Sequence, residues 1–258
     1  MFVRTLPRFR RTLLLAVLAL LAVTALALHG PIVQWPGYHG FADARAWASV
    51  PNAFNVLSNL PFAIAGLWAW PRLREAGAAW RAFCVAIIAT AFGSSIYHWQ
   101  PDNLTLLIDR LPIAWVCSTL LCSFLAERVD AVWQSPRVVA CALFASSAAV
   151  VWWGVGTALG TGDLRPYAFV QFLPMLLIPA ALLMRLPALQ AGCVPGGAWW
   201  AALALYACAK GLETADGSVM ELLHVVGGLS GHTLKHLLAA VAAALLLHAR
   251  ASRRDQLR

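Results

Sequence analysis

The sequence predicts an all-α integral membrane protein: a core bundle of seven transmembrane helices with an extra hydrophobic helix in front of it. Composition, apolar run length and charge placement carry that reading. Of 258 residues, 61% are hydrophobic and only 12% charged, with a mean hydropathy of +0.72. Soluble domains carry about a quarter charged residues, and a water-soluble fold of this length has too little interior for so much apolar surface. Apolar runs recur near 12–28, 54–71, 79–98, 105–126, 138–158, 166–184, 198–212 and 229–249. Each approaches or meets the length that crosses a hydrocarbon core of about 30 Å.

The formal charge of +8 is not laid out as a stripe for nucleic acid. Arg4, Arg8, Arg10 and Arg11 precede the first run, and Arg250, Arg253, Arg254 and Arg258 follow the last. With the N-terminus in the cytoplasm, Arg72, Arg74, Arg81, Arg128, Arg137 and Arg185 also fall inside, leaving Arg45 and Arg165 outside. That asymmetry is the positive-inside bias of an inserted bundle. The expected organisation is a basic segment and hydrophobic helix over 1–30, an outer loop over 31–53, the core over 54–249 and a basic cytoplasmic tail over 250–258. Met1–Arg11, the apolar run and Ala25-Leu26-Ala27 also fit the pattern of a signal peptide. We read the helix as retained.

The elements between the charges are consistent with this frame. Trp35, Trp47, Trp80, Trp99, Trp133, Trp199 and Trp200 fall near run ends, where an interfacial belt lies. Pro112, Pro174 and Pro179 lie inside runs and are expected to bend helices. Six cysteines, with no C-x-x-C pair, read as small hydrophobes.

Ionisable groups at membrane depth are costly and mark function by default. Ser94 and His98 end the third run, and Asp109 opens the fourth after the short turn Trp99–Asn103. His98 and Asp109 are therefore expected at the same end of neighbouring antiparallel helices. His232 and His236 stand one turn apart on the last helix. Three imidazoles plus an acid are the inventory of a catalytic zinc site: three protein ligands and one position open to water. The orientation above puts all of these groups in the outer leaflet half. Glu213, Asp216, Lys210 and Lys235 read as polar pairs between helices nearby. His29, His39, His224 and His248 read as solvated or interfacial. Gly228-Leu229-Ser230-Gly231 matches the nucleophile motif of rhomboid proteases but lacks a histidine on a later helix. The glycines read instead as a close approach at the start of the last helix.

Ser94-x-x-x-His98, Asp109 and His232-x-x-x-His236 together resemble the alkaline ceramidases. These belong to a seven-helix membrane hydrolase superfamily that includes the adiponectin-receptor-like proteins. Asn55-Val56-Leu57-Ser58-Asn59-Leu60, Tyr97-His98-x-x-Pro101, Asp109-Arg110-Leu111-Pro112 and Ser230-Gly231-His232-Thr233-Leu234-Lys235-His236 carry the same likeness over about residues 36–249. The resemblance implies zinc on His98, His232 and His236, with Asp109 and Ser94 at the zinc-bound water. It also implies hydrolysis of a ceramide-like lipid amide to a fatty acid and a sphingoid-type amine. Family members from eukaryotes carry an acidic calcium segment before the first core helix. Here Gly40–Trp47 holds one carboxylate, Asp43, too few oxygens for calcium.

The site chemistry supports the same reaction. Zinc lowers the pKa of bound water from about 16 to about 7, which gives a hydroxide at neutral pH. Asp109 is expected to take the water proton and pass it to the leaving amine. Ser94 is expected to donate to the oxyanion. The expected partners are the bilayer and a lipid amide entering from it, in a bacterial inner membrane, and no nucleic acid. Two alternatives are a receptor-like or structural zinc bundle without turnover and a haem-binding membrane protein.

Overall fold

The computed structural model describes residues 7–224 and 227–255. Among them there are ten α-helices and no strand. The helices are α1 (Arg8–His29), α2 (Ala53–Leu57), α3 (Leu60–Ala69), α4 (Ala78–Trp99) and α5 (Asn103–Arg128), followed by α6 (Pro136–Ala158), α7 (Arg165–Leu183), α8 (Gly196–Thr214), α9 (Asp216–Leu222) and α10 (Gly231–Asp255). Six of them, α1, α4, α5, α6, α7 and α10, are long and apolar enough to cross a membrane, which fits a helical membrane bundle.

The other two expected spans differ in kind. Residues 54–71 form two short helices because the chain breaks at Ser58 and Asn59. Both side chains turn back onto the backbone: Ser58 Oγ donates to the Asn55 carbonyl (3.0 Å) and Asn59 Nδ2 to the same oxygen (2.9 Å). Pro61 then has no N–H with which to continue the ladder. The second, α8, has helical length but is not apolar enough to count by composition, since it carries Lys210 and Glu213.

The antiparallel pair α4 and α5 organises the centre. Asp102 caps α5 by accepting from Thr105 N (2.7 Å), while Thr105 Oγ1 accepts from Asp102 N (3.1 Å). The Thr105 N–H is the chief reason the Asp102 carboxyl sits below the usual carboxylate range. A tight crossing needs a small residue, and Gly93 supplies it. A Cβ there would stand 2.7 Å from the Ile108 carbonyl and 3.1 Å from Pro112 Cγ. Gly231 plays the same part at the start of α10, where a Cβ would run into the Leu212 carbonyl and stand 2.9 Å from Asp216 Cα.

Arginines gather at one end of the bundle. Arg8 donates to the Arg128 and Val129 carbonyls, Arg11 to Arg185 and Arg250 to Gly192. Arg128 donates to Leu186 and Val194. The aromatic core of Trp80, Phe83, Phe124 and Trp199 lies toward this end, with Trp80 Nε1 donating to Glu127 (3.1 Å). Outside it, α1 buries only Arg11 and Leu15 and packs along α7.

From α1 the chain runs as a strap over the opposite end. Ile32 pairs with the α6–α7 turn through Asp163 (3.1 Å) and Leu164 N (2.8 Å). Asp43, buried and ion-paired with Arg45 (2.7 Å), accepts Asn55 Nδ2 on its backbone oxygen (3.1 Å). Arg45 reaches the Gly227 carbonyl (3.0 Å) and that of Gly228. The strap thereby ties the N-terminal third to the entrance of α10.

Candidate metal centre

His98 sits in the last turn of α4, and His232 and His236 in the first two turns of α10. All three are buried, and one nitrogen from each lies within 4.8 Å of the others. Ring centroids are 4.8 Å (His98 to His232), 4.8 Å (His98 to His236) and 4.9 Å (His232 to His236) apart. This buried group can hold a metal ion.

The donor geometry tests the fit. Two imidazole nitrogens bound at about 2.0–2.1 Å to one tetrahedral ion stand about 3.3 Å apart. The Nε2 atoms of His98 and His232 are 3.3 Å apart. The opposite edge of His236 is spoken for: Nδ1 lies 2.8 Å from Ser58 Oγ. The Ser58 proton already goes to the Asn55 carbonyl, so His236 Nδ1–H donates to Ser58 and Nε2 keeps its lone pair. His98 is fixed through its backbone, whose carbonyl accepts Asn52 Nδ2 (2.9 Å). His232 is fixed likewise, its N–H donating to Asp216 Oδ1 (2.7 Å). Such outer partners orient metal ligands.

Ser94 lies one turn before His98, and Asp109 stands across the Gly93 crossing from this turn. Both line a cavity of about 440 Å³ together with His236, Lys235, Lys210 and Glu213. Asp109 Oδ1 is buried at the cavity wall and has no hydrogen-bond partner among the described residues.

Further side chains surround the cluster, some of them expected. Phe41 of the strap packs on the rings of His98 (4.6 Å) and His232 (4.8 Å) and walls the cluster on the outer side. His39, expected to be solvated or interfacial, is half-exposed and bonds Tyr97 Oη (3.1 Å) and Asn103 Oδ1 (3.1 Å), because the strap lies on α4 and α5. Asp216 joins α10 to the strap, since its second oxygen accepts Ala42 N (2.9 Å). Arg110 is buried beside Asp109, stacked over Trp153 (4.1 Å) and bonded to Gln34. Lys235 bridges Glu213 of α8 (2.7 Å) and His232 Nε2 (3.1 Å), and Lys210 holds Glu213 from the other side. Ser230 of the protease-like motif is fully buried and accepts Thr233 N (3.2 Å), capping α10.

No family model matches the chain, and no curated protein matches it.

Away from the polar head the cavity is apolar. On α4 its lining runs from Ser94 to Phe83, on α5 from Asp109 to Leu120 and on α10 from Lys235 to Leu246. Eleven residues of helix rise about 16 Å, close to half of a hydrocarbon core of about 30 Å. The cavity thus has the reach of one lipid tail with its polar end at the histidines.

Proposed function

We propose that this chain is a zinc-dependent membrane hydrolase that cleaves the amide of a ceramide-like lipid, as its likeness to the alkaline ceramidases implies. The observation that carries the reading is the union of a three-histidine metal cluster with a carboxyl, Asp109, at the head of a tail-length apolar cavity.

His98, His232 and His236 hold the ion, and zinc fits their all-nitrogen donor set. When bound, it supplies a Lewis acid and water of lowered pKa. The protein does the rest. The apolar walls receive one acyl chain and hold the amide at the polar head, which fixes the carbonyl carbon near the histidines. Asp109 takes the proton of the attacking water and returns it to the amide nitrogen, so that the carbon–nitrogen bond breaks to an acid and an amine. Phe41 and the strap keep bulk water from the outer side, which strengthens each polar interaction within. With the arginine-rich end cytoplasmic, the histidine end lies in the outer leaflet half of a bacterial inner membrane, and substrate enters from that leaflet.

The test is direct. Purified protein with a defined zinc content is incubated with a panel of lipid amides, and released amine is followed by mass spectrometry. Release of a sphingoid-type amine, absent after chelation and restored by zinc, is the expected result. A protein that retains zinc yet releases no amine from any member of the panel is a binding bundle, and the reading fails.

A further inference from the structure

We propose that Lys235, held by Glu213, forms an oxyanion subsite beside the metal cluster, which takes a carboxylate or a developing oxyanion at the head of a long alkyl chain. This rests on the reading above for its reaction, but not for its ligand chemistry.

The first observation is charge. The cavity head brings together Lys210, Lys235 and Arg110 against Asp109 and Glu213. Three cations face two anions, and a divalent ion on neutral histidines raises the excess further. Uncompensated charge in a buried site is costly, so the head calls for an anion from the ligand.

The second is donor accounting at Lys235. Its ammonium has three N–H groups. One goes to Glu213 Oε1 (2.7 Å) and a second points at His232 Nε2 (3.1 Å). That nitrogen has a single lone pair, the one His232 gives to an ion. Once the ion takes it, the second N–H loses its acceptor while Glu213 holds the ammonium in place. A buried charged donor without an acceptor is expensive. An oxygen of a ligand bound next to the ion can take it.

Ser94, a neutral donor that lines the same cavity, does not offset this charge. Lys235 receives the charge on the carbonyl oxygen. In hydrolysis that charge develops as water oxygen bonds the carbon. It is relieved when the carbon–nitrogen bond breaks, and Lys235 donates throughout without giving up its proton. The product carboxylate then rests on the same N–H.

The test reads binding as well as turnover. The full-length zinc-loaded protein in detergent micelles is titrated with radiolabelled palmitate and with hexadecanol, a neutral ligand with the same chain. Wild type should prefer palmitate by about tenfold or more, the range of a charge-assisted hydrogen bond. Lys235→Met should keep its zinc and its hexadecanol affinity and weaken that preference by about tenfold. Lys235→Arg should restore part of it. Equal affinity of the wild type for the two ligands overturns the subsite, whatever the variants do. So does a Lys235→Met protein that prefers palmitate as strongly as the wild type, or one that loses hexadecanol equally. Palmitate preference without amide turnover retires the hydrolase reading and leaves the subsite. Turnover that Lys235→Met leaves unchanged retires the subsite alone.

Discussion

Ser58 Oγ stands 2.8 Å from His236 Nδ1, and that contact sets which nitrogen of His236 faces the cluster. The helix break at Ser58 and Asn59 turns the hydroxyl out of the ladder and toward α10. Ser58→Ala should therefore lower zinc affinity by about 10- to 100-fold, the usual cost of removing a ligand's outer partner. Competition with a chromophoric chelator measures it. Unchanged affinity would show that ring packing alone orients His236.

Replacing His98, His232 or His236 with Ala should remove the ion, because each supplies one of three protein nitrogens. Elemental analysis should fall from about one zinc per chain to a small fraction of that. Full occupancy in the triple variant would end the metal assignment.

Asp109→Asn separates a proton carrier from a ligand. The change keeps the shape of the side chain. Zinc should stay near normal, and amide turnover should drop by roughly a hundredfold or more. Ser94→Ala should be milder, since it removes one neutral hydroxyl and leaves the carboxyl in place. Loss of zinc in Asp109→Asn would move Asp109 among the ligands.

Gly93→Ala places a Cβ 2.7 Å from the Ile108 carbonyl, a backbone atom that cannot step aside cheaply. Overpacking of this kind costs about 1–3 kcal/mol. The melting temperature in detergent should fall, and activity should fall with it as α4 moves from α5. A variant as stable as the wild type would mean that the crossing is looser than the geometry implies.

The arginine contacts near Arg128, Arg185 and Arg250 predict orientation. A reporter fused to the C-terminus should read as cytoplasmic, and one inserted near Gly40 as external. The reverse result would put the histidine end in the inner leaflet.

The fold was legible because each long apolar run is a local property of the chain. So was the pairing of His232 and His236 on one helix face, since their i, i+4 spacing survives any tertiary arrangement. What could not be read depends on contacts between distant segments. The break in 54–71 needed Ser58 and Asn59 to choose backbone over ladder, a choice that His236 helps to settle from 178 residues away. Phe41, His39 and Asp216 owe their roles to the path of the strap, which has no period to betray it. The pairing of Lys235 with Glu213 across α10 and α8 agrees with the polar pairs expected there, while the reach of Lys235 to His232 depends on the side-chain geometry.

The separation of the ligands along the chain also sets a timetable for assembly. His98 and His232 are 134 residues apart, and synthesis at about 5–20 residues per second takes roughly 7–27 s to cover that distance. Throughout that interval the growing chain has one ligand and no partner for it. The proposed site is complete only after α10 enters the bilayer, so a chain truncated before α10 lacks two of the three histidines and should bind no ion there. Metal loading would then report that α10 has reached its place against α4.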